Sequence, residues 1–124
     1  MRFALKFEVA AADLARAMAW YSDVLGLDPV DLDGEQVVYR VDGTVFGIYA
    51  SENAGTNKGT TARLVVDDFD AARAELLSKG IVFEEYDLGP DFRTVDGVLT
   101  SPDGERTSWF KDSEGNTLAL GSSI

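Results

Sequence analysis

Lys6, Glu8 and Arg63 are the residues whose types could do chemistry without a cofactor. The alternation of Phe3, Leu5, Phe7 and Val9 sends Lys6 and Glu8 to the opposite side of a first strand-like run. Ala62, Leu64 and Val66 do the same for Arg63 in a later run. Held together away from water, a lysine and a carboxylate shift one another's protonation enough for acid–base work, and a desolvated lysine can form an imine. The same residues could equally form an ion pair that ties two halves of a sheet together. Their types leave both readings open.

The rest of the composition narrows the chemistry. The chain has no histidine, which removes the commonest general base and the commonest transition-metal ligand, and no cysteine, which removes disulfides, thiolate catalysis and zinc–thiolate sites. Twenty-two acidic residues against 11 basic ones give a net charge of −11. Such a field disfavours nucleic acid and anionic membranes as partners and favours cations. With 45% hydrophobic residues in 124, the chain is long enough to bury one core but not two, and one domain over residues 1–124 is expected. No secretion leader opens it and no apolar run is long enough to span a membrane, so a soluble, cytoplasmic protein is expected.

The elements that must position these residues follow from periodicity. A strand over 3–9 precedes Asp13, a helix cap, and Leu14, Ala17, Met18, Tyr21 and Leu25 recur at helical spacing up to the stop at Gly26. Trp20 lies off that stripe and is assigned to an edge or a subunit contact. Strands over Pro29–Leu32, Gln36–Val41 and Thr44–Ala50 are separated by the turn pairs Asp33-Gly34 and Asp42-Gly43. A second set has a strand over Thr61–Val66, cap Asp68, a helix that stops at Gly80, and strands over Ile81–Tyr86, Thr107–Lys111 and Thr117–Leu120.

The two sets are copies. DGTVFGIYAS from Asp42 aligns without gaps on EGNTLALGSS from Glu114, and FEVAAADL from Phe7 pairs Asp13 with Asp68. The offset is 55 at the helices (68 − 13) and 72 at the last strands (114 − 42), so 17 extra residues (72 − 55) fall between them, in LGPDFRTVDGVLTSPDG. That insertion is either a rim over a site or a solvated hairpin. The organisation is a repeat over 1–51, a linker over 52–59 and a repeat over 60–124. The expected fold is α+β: two β-α-β-β-β repeats in an open, half-barrel mixed sheet with helices on the convex face.

DLARAMAWYSDVLGL, from Asp13, together with FKDSEGNTLAL, from Phe110, resembles the vicinal oxygen chelate superfamily, which includes glyoxalase I, extradiol dioxygenases, fosfomycin-resistance enzymes and bleomycin-resistance binding proteins. The resemblance covers essentially the whole chain and speaks to fold more than to function. It implies metal ligands on the first and last strands of each repeat. Those positions fall seven residues before the caps, at Lys6 and Thr61, and four after the turn glycines, at Gly47 and Ala119. None offers a normal ligand for a divalent cation. Strand parity independently sends the same four residues to the side away from the helices.

The resemblance therefore implies a metal-free binding protein of the bleomycin-resistance type, a homodimer that sequesters a small cationic or aromatic molecule and needs no cofactor. Tyr39, Tyr49, Gly47, Thr61, Phe92, Trp109 and Ala119 are its candidate ligand-binding residues, with the insertion closing over the ligand. Two alternatives stand beside it. One is a metal-free lyase or isomerase using Lys6, Glu8 and Arg63; the other is an interaction module whose vestigial pocket is filled by its own side chains.

Overall fold

A computed structural model describes residues 1–123. The chain runs β1 (Phe7–Ala11), α1 (Leu14–Asp23), β2 (Pro29–Leu32), β3 (Gln36–Val41), β4 (Thr44–Ala50), β5 (Thr60–Val65), α2 (Phe69–Ser78), β6 (Leu99–Thr100), β7 (Arg106–Lys111) and β8 (Thr117–Gly121). It is α+β, with two four-stranded mixed sheets ordered β1-β4-β3-β2 and β5-β8-β7-β6, neither closed into a barrel. Contacts divide it into two compact units. The first is Met1–Lys58 with Asp112–Asn116, and the second is Gly59–Lys111 with the chain from Thr117 onward.

In the first unit, α1 starts where expected. The Asp13 carboxylate accepts the Arg16 N–H at 3.0 Å, satisfying a donor that the helix itself leaves open. β1 runs parallel to β4, and β3 is antiparallel to it, so Val9, Ile48 and Val37 form one row and Phe7, Phe46 and Tyr39 the next. Val9, Ile48 and Val37 are buried with Ala11, Ala17, Tyr21 and Tyr39 in one core, and Leu14, Met18 and Phe46 pack against it. The hairpin between β3 and β4 turns on Asp42 and Gly43, at φ 47° and 80°, the left-handed pair that matches the twist of the strands.

Two expectations about this unit are corrected, at the first strand and at Trp20. The first strand starts at Phe7, so Phe3 and Leu5 lie outside the ladder and are 74% and 65% exposed. Tyr21, on the apolar stripe of α1, is interior, and its hydroxyl donates to Asp112 at 2.8 Å. Trp20 packs partly buried against the core, edge-on to Tyr21 with ring centres 4.9 Å apart, which its place beside the apolar stripe allows.

Asp112–Asn116, the turn between β7 and β8, belongs to this unit through a polar knot. Asp112 accepts from the backbone N–H groups of Glu114 and Asn116 and from the Tyr21 hydroxyl. Asn116 Nδ2 donates to the Ala10 carbonyl at 2.8 Å. Glu114 accepts from the Asp13 N–H and from Arg16 Nε, each at 2.8 Å. The buried side chains of Asp112, Glu114 and Asn116 thereby find partners, as low-dielectric surroundings require.

The second unit repeats the plan. Asp68 caps α2 by accepting the Ala71 N–H at 3.0 Å, β5 runs parallel to β8, and Phe110 pairs with Leu118 and Ser108 with Leu120 across β7 and β8. Phe69, Leu76, Ile81, Phe83, Phe110, Leu118 and Leu120 are buried. The strand expected over Ile81–Tyr86 does not form, although its alternation persists: Ile81 and Phe83 are buried and Val82 is exposed. Alternation reports which side is covered, and a ladder also needs a neighbour. The strand beside β7 comes instead from the insertion, which bridges at Asp87–Arg93 and Val95–Val98 and delivers β6 to that edge.

Candidate functional site

The face of each sheet away from its helix is where the candidate residues gather, and each unit carries its own. In the first, Glu8, Gly47 and Val38 form one row, and Ala10, Tyr49 and Gln36 the next. Lys6 reaches across Gly47: its ammonium donates to Gln36 Oε1 at 2.8 Å and pairs with Glu8 at 3.1 Å. A Cβ on Gly47 would lie 2.8 Å from Lys6 Cε, so the lysine occupies the space that a side chain there would take. Tyr49, 38% exposed, lines a shallow hollow of about 410 Å³ with Asp33, Glu35, Gln36 and Ala50.

Tyr39 is not on this face. It is fully buried among the core side chains, stacked on Phe46 with centres 5.2 Å apart, because it shares the parity of Val37. Its expected ligand contact is replaced by packing.

In the second unit two long side chains cross the central strand β8 in opposite directions. Arg63, on β5, lies over Gly121 so closely that a Cβ there would fall on the guanidinium. Its Nη2 donates to Thr107 Oγ1 on β7 at 3.0 Å and its Nε to the Ser123 carbonyl at 2.8 Å. Trp109, on β7, pairs in register with Ala119, and its indole N–H reaches Thr60 on β5 at 3.1 Å. Ala119 is consequently 1% exposed: the indole fills the space that its small side chain leaves. The ladder shifts register between Thr60 and Ala62, so Thr60, opposite Thr117, meets the indole and Thr61 is the residue at the irregularity.

An aromatic group surrounds Trp109. The Phe92 ring, carried in by the insertion, is 5.6 Å away and that of Tyr86 5.7 Å. Tyr86 donates its hydroxyl to Glu84, and burial, reinforced by that carboxylate, pushes the phenol up to about 12. Glu84 also pairs with Lys111 at 3.1 Å, and Lys111 donates to Thr117 Oγ1.

Sequence reasoning missed Lys111, Thr60, Tyr86 and Gln36. Lys111 was within reach, since it shares the parity of Trp109 once Phe110 is placed in the core. Thr60 was hidden by the irregularity at Thr61, and Tyr86 by the expectation of a strand. Of the three charged candidates, Lys6 and Glu8 meet in the first unit, and Arg63 takes neutral partners in the second.

The four positions at which the resemblance implies metal ligands do not fit a divalent ion. Lys6 brings a cation of its own, Gly47 and Ala119 have no donor atom, and Thr61 alone offers a hydroxyl. Among the described residues no three of His, Cys, Asp and Glu cluster in a way that could hold a metal.

Residues 5–120 match the model of the Glyoxalase/Bleomycin resistance protein/Dioxygenase superfamily. No curated protein matches the chain. Among solved structures it is similar to a glyoxalase/bleomycin resistance protein from Catenulispora acidiphila, at 26% identity and TM-score 0.66, covering 94% of this chain and 95% of that one. It is also similar to a lactoylglutathione lyase from Agrobacterium tumefaciens, at 19% identity and TM-score 0.71, covering 96% and 92%. A fosfomycin resistance protein from Listeria monocytogenes complexed with Mn(II) gives 14% identity and TM-score 0.69, covering 100% and 93%. The last two likenesses speak for the fold alone.

Proposed function

The chain belongs to the glyoxalase/bleomycin resistance protein/dioxygenase superfamily, and we propose that within it this protein binds a small molecule without a metal ion. The observation that carries the reading is Lys6 lying across Gly47. Where the resemblance implies a ligand set, the chain has an ammonium held by Gln36 and Glu8 above a residue with no side chain. A second cation in that space would be repelled, and nothing there would coordinate it.

The residues left to bind a ligand are aromatic. Trp109 with Phe92 in the second unit and Tyr49 in the first present flat surfaces, which give large contact area at low entropic cost. A cationic ligand, suggested by the overall charge, is disfavoured at Trp109. Gly121 under Arg63 and Ala119 under the indole are two residues apart on one face, roughly 7 Å. Like charges at that distance repel by about 0.6 kcal/mol in water and about 2.4 kcal/mol at an effective dielectric of 20. The attraction of an exposed indole for a cation is about 0.5 to 1 kcal/mol, so the two cancel or repulsion wins.

A second reading, a module whose pocket is closed by its own side chains, is favoured by the way Trp109 and Arg63 cover β8. An enzyme built on Lys6, Glu8 and Arg63 has less support, since neither unit brings all three together and Lys6 keeps about a third of its side chain in water. An imine-forming lysine needs a drier setting.

Elemental analysis of the purified protein tests the proposal. Zinc, nickel, iron and manganese should each be far below one per chain, and added metal should not shift the melting temperature. Close to one metal ion per chain would sink the metal-free reading.

A further inference from the structure

The face that Arg63 and Trp109 build in the second unit has a charge that its ligand must answer, and the following inference rests on the small-molecule reading above. A guanidinium has five N–H donors in a planar fork. Two N–H directions of Arg63 are taken, by the Ser123 carbonyl and the Thr107 hydroxyl, and both acceptors are neutral. Among the described residues no carboxylate pairs with it. Gly121 leaves the guanidinium flat against β8, and its two bonds fix its plane.

The neighbouring charges do not neutralise it. Lys111 and Glu84 pair with each other at 3.1 Å, and Glu84 also accepts the Tyr86 hydroxyl, so that carboxylate is already shared. Among the described residues the face therefore keeps one uncompensated positive charge beside an indole, with the Phe92 ring next to it. The net charge of −11 is spread over the whole chain, and screening limits each distant charge to a reach of about 8 Å at physiological salt. Arg63 governs its own surroundings.

We infer that this face selects a planar aromatic anion, with its carboxylate on the open edge of the Arg63 guanidinium and its rings against Trp109 and Phe92. The guanidinium lies over Gly121 and the indole over Ala119, two residues apart on one face and roughly 7 Å from one another, a span that suits a ligand of two fused rings. Planarity is demanded by both partners, since a guanidinium fork and an indole face each bind flat groups best.

Three probes of one shape and different charge test this: 2-naphthoate, its neutral amide 2-naphthamide, and a trimethylammonium derivative of naphthalene. Each is titrated into the isotope-labelled full chain while the indole N–H signals of the two tryptophans are followed, with Trp109→Phe assigning them. Naphthoate should move the Trp109 signal saturably and bind about tenfold or more tighter than the amide, as a charge-assisted pair requires. Its affinity should fall with added salt while that of the amide does not. Arg63→Gln should erase the preference for carboxylate and leave the amide unchanged. Arg63→Lys, which keeps the charge without the fork, should retain part of it, and melting curves show whether either variant folds. Should Arg63→Gln fail to fold, the salt dependence of the wild type still decides. If the amide or the ammonium compound binds as well as naphthoate, the anion preference is overturned and small-molecule binding stands. If none of the three moves the Trp109 signal at millimolar concentration, the anion site and small-molecule binding on this face both fall.

Discussion

Glu114 shows how one residue can join distant parts of the chain. Its side chain has no exposed surface, yet it accepts bonds from Arg16, from the Asp13 N–H and from the Ser113 hydroxyl. The hydrogen bond from Arg16, opposed by burial and aided by the Asp13 N–H, holds its carboxyl down to about 2. A carboxyl with a depressed folded-state pKa adds stability that is fully present above the ordinary glutamate range and is lost as pH falls toward the folded value. Between about pH 5 and pH 2 the wild type should lose stability that Glu114→Gln never had. At neutral pH the variant should be less stable by about 2 to 3 kcal/mol, the low end for breaking a buried pair because Arg16 is half exposed. Urea unfolding at several pH values checks both; parallel pH curves for the two proteins would refute the assignment. The sequence marked Glu114 only as part of a familiar string and a tight turn. That the turn bonds back to α1, almost a hundred residues earlier, is not local information. The cap at Asp13 is local, and it was legible.

Among elements, β2, β3 and β4 form with the boundaries expected from their residues, because the turn pairs Asp33-Gly34 and Asp42-Gly43 fix both ends of the meander. In the second meander the alternation of Ile81–Tyr86 predicts a first strand there, but the insertion carries that strand as β6 instead. The signal was present in Asp96 and Gly97, at φ 53° and 75°, a turn pair of the same kind lying inside what was counted as excess. Parity carried further than boundaries: it sent Gly47 and Ala119 to the side away from the helices, though it could not show that Trp109 and Arg63 would cross β8 and cover it. The β6 hairpin should depend on Gly97. A Cβ there would meet the Phe83 Cβ at 2.9 Å on a backbone that L residues rarely adopt, and the Gly97 carbonyl accepts the buried Ser108 hydroxyl at 2.6 Å. Gly97→Ala should cost about 1 to 3 kcal/mol, from crowding and the left-handed backbone together. Gly34→Ala, with nothing within 4 Å, should cost little. Hydrogen exchange should speed up at Val95 and Val98 before it does in β8, and uniform acceleration would contradict the hairpin's independence.

At the scale of the whole molecule, the edges of the first sheet carry exposed apolar side chains. Phe3, Leu5 and Phe7 alternate along the extended approach to β1 and are 74%, 65% and 57% exposed, and Val30 and Leu32 on β2 are 59% and 57% exposed. β1 and β2 are the two edges of their sheet. An apolar edge with unpaired backbone groups is a template for a second chain, which natural proteins blunt or cover. A homodimer is the expected cover, and its case rests on these residues. The net charge of −11 on each chain opposes association, but its range shrinks with salt while the apolar term does not. Dimerisation should therefore strengthen between low and moderate ionic strength. Sedimentation velocity at micromolar concentration should show a species near twice 13.4 kDa, and the double substitution Phe3→Ser with Leu5→Ser should return it to the monomer without altering the melting of β4 and β8. A wild-type chain that sediments at 13.4 kDa in moderate salt would leave these edges without a partner and end the argument for a dimer.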